Sequence, residues 1–170
     1  MVALAHLKYI APFRVRKTIA VGVFNSVLTY CLPLFGGCGQ TNLKEIQVLQ
    51  NKAAQIVSHS PPRAPRVQMY EKLDWLTVNQ LVPYHSLIAV FKIRKTKEPE
   101  YLSNFLSHDS RYGKIMFENI QLKVATKSFV FRGSEGWNLL PSTLRNCQKI
   151  GEFKQKLRKW IKENVPMFLD

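Results

Sequence analysis

At 170 residues, 46% of them hydrophobic and 11% aromatic, the chain has material for one packed domain or a domain with an appended segment, and disorder throughout is excluded. A formal net charge of +14 points to polyanionic partners, either nucleic acid or an anionic membrane surface. The basic residues are spread along the chain with no single basic tail, which fits a folded basic face better than a disordered arm. Cys31, Cys38 and Cys147 are too few and too odd in number for a disulfide scaffold, and no Cys-x-x-Cys or His-x-x-x-His pair accompanies them. They read as buried free thiols in a reducing compartment.

In chain order, the first element is a mostly apolar helix over 14–31, ended by Pro33 and the Gly36–Gly37 breaker. From Thr18 to Leu43 no residue is charged, and RVRK at 14–17 precedes the run, which is the layout of a signal-anchor. Asn25, Ser26, Thr29, Pro33 and the glycines after Phe35 oppose a span, so a buried helix is the preferred reading. TNLKEIQVLQNKAAQIVS (41–58) reads as an amphipathic helix with Asn42 and Glu45 as a capping box. Its inward face is Leu43, Ile46, Leu49, Ala53, Ile56 and Val57, with Lys44, Gln47, Gln50, Asn51 and Lys52 mostly opposite. SPPRAP (60–65) is a connecting loop, followed by a short helix over Arg66–Leu73.

A third substantial helix is expected over Leu81–Lys95 with Leu87, Ile88, Phe91 and Tyr84 inward, beginning near Gln80 because Pro83 belongs in a first turn. SHDSRYGK (107–114) reads as an exposed loop. LKVATKSFVFRG (122–133) carries β-formers in partial alternation, suiting a strand or an extended arm. Ser134 then caps a short helix carrying Trp137, Leu139 and Leu140, stopped by Pro141. The last helix, 150–163, places Ile150, Phe153, Leu157, Trp160 and Ile161 within roughly a 100° arc, with Lys154, Lys156, Arg158, Lys159 and Lys162 on the remainder. The fold class is therefore mainly α, with a short extended or β segment near 122–132 and a C-terminal amphipathic helix.

No catalytic constellation emerges. Asp74, Asp109 and Asp170 lie in unrelated contexts, and no Asp-Asp pair is present to hold two metal ions. His6, His59, His85 and His108 are scattered, and His85 reads as a packed or surface imidazole. FGGCG (35–39) lacks the Lys-Ser/Thr ending of a phosphate-binding loop and reads as a helix stop. What recurs is basic residues interleaved with aromatics, in FKIRK (91–95), RYGKIMF (111–117), KSFVFR (127–132) and FKQKLRKW (153–160). Lysine and arginine neutralise phosphates and exposed aromatics stack on bases, although the same pattern arises from core rings beside a solvated charged face. The candidate phosphate contacts are Lys154, Arg158 and Lys162 first, then Lys92, Arg94, Lys95 and Lys97, then Arg111, Lys114, Lys127 and Arg132. Trp137, Asn138, Leu140, Pro141, Phe153, Leu157 and Trp160 are the expected structural anchors.

Taken together and in order, these phrases resemble the C-terminal region of the reverse transcriptases of non-LTR (LINE-type, jockey-like) retrotransposons. That family has a Leu-x-Tyr-Cys-x-x-x-x-Gly phrase, a Leu-x-x-Leu-Gln-x-x-Ala helix, a Gly-x-x-x-Trp-Asn-x-Leu-Pro phrase and a final Phe-Lys-x-x-Leu-Lys helix. Tyr30, Cys31 and Gly36 fall on the first, Leu49, Gln50 and Ala53 on the second, and Gly133, Trp137, Asn138, Leu140 and Pro141 on the third. Phe35 replaces the family's usual Trp, and Pro83 interrupts a helix that is commonly unbroken. The family's aromatic-x-Asp-Asp palm motif lies upstream of this region and is absent, as are the endonuclease portion and the Cys/His knuckle. Met1 falls inside the region that corresponds to the thumb.

The resemblance implies a helical, bundle-like thumb region over 1–60, a Pro-rich linker with helices over 61–99, and a C-terminal segment over 100–170, expected to form one compact unit. It implies a parent RNA-directed DNA polymerase using Mg in the missing palm, with no activity, no catalytic residue, no metal site and no cofactor in this chain. Expected partners are RNA or DNA, held electrostatically and sensitively to salt, or a second copy covering surface exposed by the missing palm; no small-molecule substrate is expected. An intracellular location, nuclear or cytoplasmic, is favoured over membrane. The alternatives are a standalone helical protein-interaction module and, less favoured, a signal-anchored membrane protein.

Overall fold

The regular elements of the computed structural model are all helical over the residues it describes, namely 9–61, 63–106, 114–115 and 127–167. The mainly α class is what the chain adopts. Helix α1 (Phe13–Ile19) passes through a π-helical turn (Ala20–Asn25) into α2 (Ser26–Thr29), and α3 (Leu32–Phe35) follows. Then come α4 (Gln40–Ser58), α5 (Arg66–Leu73), α6 (Val78–Thr96), α7 (Glu100–Leu106), α8 (Phe129–Leu139), α9 (Ser142–Arg145) and α10 (Ile150–Asn164). The backbone groups into two compact units. Of the described residues, one unit comprises those within 9–30, 39–81 and 166–167, and the other those within 31–38 and 82–165.

In the first unit, Ala20, Ala53, Ala54, Val57, Tyr70, Leu73 and Trp75 form the core, with Phe13, Ile19, Phe24 and Ile56 against it. The alanines let the helices approach closely. Arg16 is buried, and its Nε donates to the Val57 carbonyl at 3.1 Å, at the C-terminal end of α4 where a cation suits the helix dipole. His59 and Asp74 end α4 and α5 in the left-handed conformation, with φ of 56° and 53°. The expected capping box is not used: α4 begins at Gln40, and Gly39 is its N-cap with no side-chain bond.

The buried face of α4 is also rotated from the expected one. Gln47 and Gln50 are buried, whereas Leu49 is exposed. Gln47 Nε2 donates to the Tyr70 hydroxyl at 2.6 Å and its Oε1 accepts from the Val78 N–H at 2.8 Å. Gln50 Nε2 donates to the Leu76 carbonyl at 2.9 Å, and the Tyr70 hydroxyl donates to Gln50 Oε1 at 3.1 Å. Two amides thus pair the otherwise unsatisfied backbone of the segment between α5 and α6, which outweighs the burial of one leucine.

In the second unit, α6 packs antiparallel to α10. The Phe91 and Phe153 rings stack with centroids 4.3 Å apart, while Lys95 reaches Gln148 at the other end of the pair at 2.7 Å. Trp137 of α8 joins them, its ring 6.0 Å from that of Phe153. Helix α8 lies close to α6 through two glycines. A Cβ on Gly133 would meet Val90 Cγ2 at 2.8 Å, and one on Gly136 would meet the Leu87 side chain at 3.3 Å. Helix α6 starts at Val78, so Pro83 lies beyond the first turn and leaves the Asn79 carbonyl without its helical donor, contrary to the start near Gln80.

The extended segment expected near 122–132 is corrected. Residues 122–126 lie outside the described residues, and Phe129–Arg132 are the first turn of α8. The cap is Ser128, whose Oγ accepts from the Phe131 N–H at 3.3 Å, and Ser134 is buried inside the helix. Phe129, Gly133 and Trp137 are buried at four-residue steps, so packing against neighbouring helices overrides the β preference of Phe129, Val130 and Phe131.

The expected anchors behave unequally. Trp137, Leu140, Phe153 and Leu157 are buried, Pro141 is the exposed N-cap of α9, and Trp160 is only half-buried. Asn138 acts through hydrogen bonds: its Nδ2 donates to the Ile115 carbonyl at 2.9 Å and its Oδ1 accepts from the Ile115 N–H at 2.8 Å. No helix among the described residues is long and apolar enough to cross a membrane. Trp137→Ala is expected to destabilise the chain by about 3–5 kcal/mol, since the void beside Phe153 cannot close between two helices held apart by other contacts. A denaturation midpoint followed by far-UV circular dichroism measures this; an unchanged midpoint would show that Trp137 does not anchor α8.

Candidate nucleic-acid interface

Helix α10 builds the main cationic face. Phe153, Leu157 and Ile161 turn inward at four-residue steps, which leaves Lys154, Lys159 and Lys162 exposed and Arg158 half-buried. Lys154, Arg158 and Lys162 keep the four-residue spacing of a single stripe. Lys156 is turned to another task. Its Nζ lies 2.7 Å from Glu152 Oε1 one turn earlier, and that hydrogen bond holds the Glu152 carboxyl below its usual range. Ile150 sits at the exposed end of the expected apolar arc.

Because α6 and α10 are antiparallel about the Phe91–Phe153 stack, the N-terminal half of α6 faces the middle of α10. Tyr84 and His85 lie there within the electrostatic influence of Arg158 and Lys154, respectively. The two rings form an edge-to-face pair with centroids 5.3 Å apart and planes at 89°. Burial pushes the Tyr84 hydroxyl above its ordinary pKa, and the Arg158 guanidinium partly opposes this. Burial likewise pushes the His85 imidazole below its ordinary value, and the Lys154 ammonium adds to the effect. Both rings are half-buried.

The other sequence candidates fall into separate groups. Lys92 and Lys95 are exposed at the C-terminal end of α6; Lys95 Nζ donates to Gln148 Oε1 at 2.7 Å and lies 6.0 Å from the Phe91 ring centroid. Arg94 is built into the fold, donating from Nη1 to the Leu106 carbonyl with its guanidinium 5.1 Å above the Trp137 ring. Lys97 follows α6 with φ of 62°, and its N–H closes the helix onto the Ile93 carbonyl at 2.8 Å. Arg132 is a staple: Nε donates to the Lys127 carbonyl at 3.0 Å and Nη2 to the Pro33 carbonyl at 2.8 Å. Burial lowers its pKa. Lys127 and Lys114 are exposed, and Arg111 lies outside the described residues, as does all but Lys114 of the expected 107–114 loop.

Among the described residues no group of three or more His, Cys, Asp or Glu side chains could hold a metal ion. Cys31 is exposed, Cys38 intermediate and Cys147 buried, all three as free thiols. No protein-family model, curated protein or solved structure matches the chain.

Sequence reasoning missed Tyr84 and His85 as partners of the cationic stripe. The sequence pattern alone turns Tyr84 inward and leaves His85 a packed or surface imidazole. Only the antiparallel pairing of α6 with α10 places them beside Lys154 and Arg158, and a local pattern carries no such signal. The electrostatic contact is directly measurable. Lys154→Gln is expected to raise the His85 pKa toward its ordinary 6.5, read from the imidazole proton shifts in an NMR titration. Since the folded pKa lies below the unfolded one, this histidine costs no stability above about pH 6.5 and progressively more as pH falls through that value. An unmoved titration midpoint in the variant would separate the two side chains.

Proposed function

We propose that the chain binds RNA or DNA through backbone phosphates, as the non-catalytic C-terminal portion of a LINE-type reverse transcriptase. The observation that carries the binding is the face of α10, where Lys154, Lys159 and Lys162 are exposed and Arg158 half-exposed opposite a fully buried apolar stripe. Lysines at helical spacing on a rigid, well-packed element neutralise successive phosphates and release counterions, so affinity depends on salt. The origin rests on the ordered phrases ending in the Gly133–Pro141 stretch and the Phe153–Trp160 helix. Those phrases now have local roles in packing, and none of them supplies a group that would catalyse nucleotidyl transfer.

Binding to a labelled oligonucleotide is expected to weaken steeply as salt rises from low to physiological. The double variant Lys154→Glu, Arg158→Glu should lower the slope of log K against log salt by about two, one for each phosphate contact removed. Helicity should stay unchanged, because neither side chain is buried in the core. No binding by the wild-type chain at low salt would sink the reading, and loss of helicity in the variant would refute the surface assignment.

One observation favours a second reading, a helical protein-interaction module. Val23 of the π-helical turn, Val27 of α2 and Tyr30 at its C-cap recur at four- and three-residue steps and are 60%, 74% and 74% exposed, which leaves a run of apolar side chains open along this segment. Self-association through these side chains predicts a dimer or larger species by size exclusion with light scattering, unchanged by charge reversal on α10. A monomer at every concentration tested would exclude it.

A further inference from the structure

Resting on the nucleic-acid reading above, we infer that Tyr84, His85, Lys154 and Arg158 form a nucleotide platform that selects single-stranded over double-stranded nucleic acid. The two rings stand on consecutive residues of α6, edge to face with centroids 5.3 Å apart. In such a pair the ring presenting its edge keeps both faces clear of its mate. Neither ring is buried in the core, and the antiparallel pairing set by the Phe91–Phe153 stack and the Lys95–Gln148 bond lays their half of α6 along the part of α10 that carries Lys154 and Arg158.

The chemistry of the four groups is complementary to one nucleotide. A base offers an apolar, polarisable face that stacks on an aromatic ring, and the phosphate joined to it carries the charge that Lys154 and Arg158 neutralise. In a duplex the base faces are occupied by their own neighbours, so the rings have nothing to stack on and only the phosphate contacts remain. A single strand can satisfy both halves of the platform together. Stacking also tolerates any base, so the preference is for strandedness and carries little sequence selectivity.

The surrounding structure fixes this platform. The Phe91–Phe153 stack holds α6 against α10 about two turns from Tyr84, and Leu87 and Ile88 bury the next turn of α6. The rings are therefore presented by a rigid helix pair, and little ordering is required when a strand binds.

The test compares a labelled thymidine oligonucleotide of about 16 nucleotides with a duplex of equal length at about 50 mM salt. Tyr84→Leu keeps an apolar side chain at the position and removes the ring, whereas Tyr84→Phe keeps the ring. The Leu variant is expected to lose about tenfold in single-strand affinity with duplex affinity unchanged, and the Phe variant to retain both. As a readout that needs no variant, the His85 imidazole protons should move upfield when the thymidine oligonucleotide is added to the wild-type chain, as they do beneath a stacked base. Equal loss on both ligands, no loss on either, or His85 protons that do not move upfield would overturn the platform. In those cases the electrostatic reading still stands if Lys154→Glu, Arg158→Glu weakens binding to both ligands. If that double variant changes nothing, the electrostatic reading itself fails.

Discussion

The stack of Phe91 on Phe153 is the contact from which the geometry of the second unit follows. A ring pair 4.3 Å apart and nearly parallel sets both the separation of α6 and α10 and their register along each other. Once that register is set, the N-terminal half of α6 lies along α10, and the charges of Arg158 and Lys154 act on Tyr84 and His85. Trp137 completes the aromatic cluster from a third helix and receives Arg94 over its ring at 5.1 Å. The apolar core and the cationic face are thus two sides of the same helix pairing. A shift of α10 by one turn would place a different pair of charges beside Tyr84.

The net charge of +14 overstates the charge available to a ligand. Arg16, Arg94 and Arg132 all serve as internal ties, each directed at a backbone carbonyl. Guanidinium suits this role because its planar fork can serve several acceptors and is only weakly hydrated. The lysines of α10 and of the end of α6 are exposed, Lys156 with its Nζ at Glu152 and Lys95 with its Nζ at Gln148. The division of labour is chemical: these three arginines hold the fold, while the exposed lysines, with Arg158 beside them, present charge.

Helix α5 was readable at both of its ends, because a proline-rich break precedes it and a short apolar pattern fills it. The inward set Phe153, Leu157 and Ile161 was equally legible, since its spacing matches the helical period. In α4 the buried Gln47 and Gln50 run against the polar pattern of the sequence. An amide is classed as polar until its partners are known, and those partners are Tyr70, the Leu76 carbonyl and the Val78 N–H, more than 19 residues away. The start of α8 was misjudged because Phe129, Val130 and Phe131 favour strands when taken alone. The charges of the candidate interface could be read from the chain. The rings beside them could not, because their position depends on which helix pairs with which.

Helix α8 carries Gly133 and Gly136 in its interior, each a cost of about 1 kcal/mol to an isolated helix. Only two residues separate them, in an eleven-residue helix that also contains two phenylalanines and a valine. Such a segment has no strong tendency to be helical in water. The glycines are compensated when Val90 and Leu87 of α6 fill the space that side chains would have taken. Helicity and docking are therefore one event for this segment: α8 becomes ordered as it reaches α6, so local structure here is an outcome of assembly and cannot be its starting point.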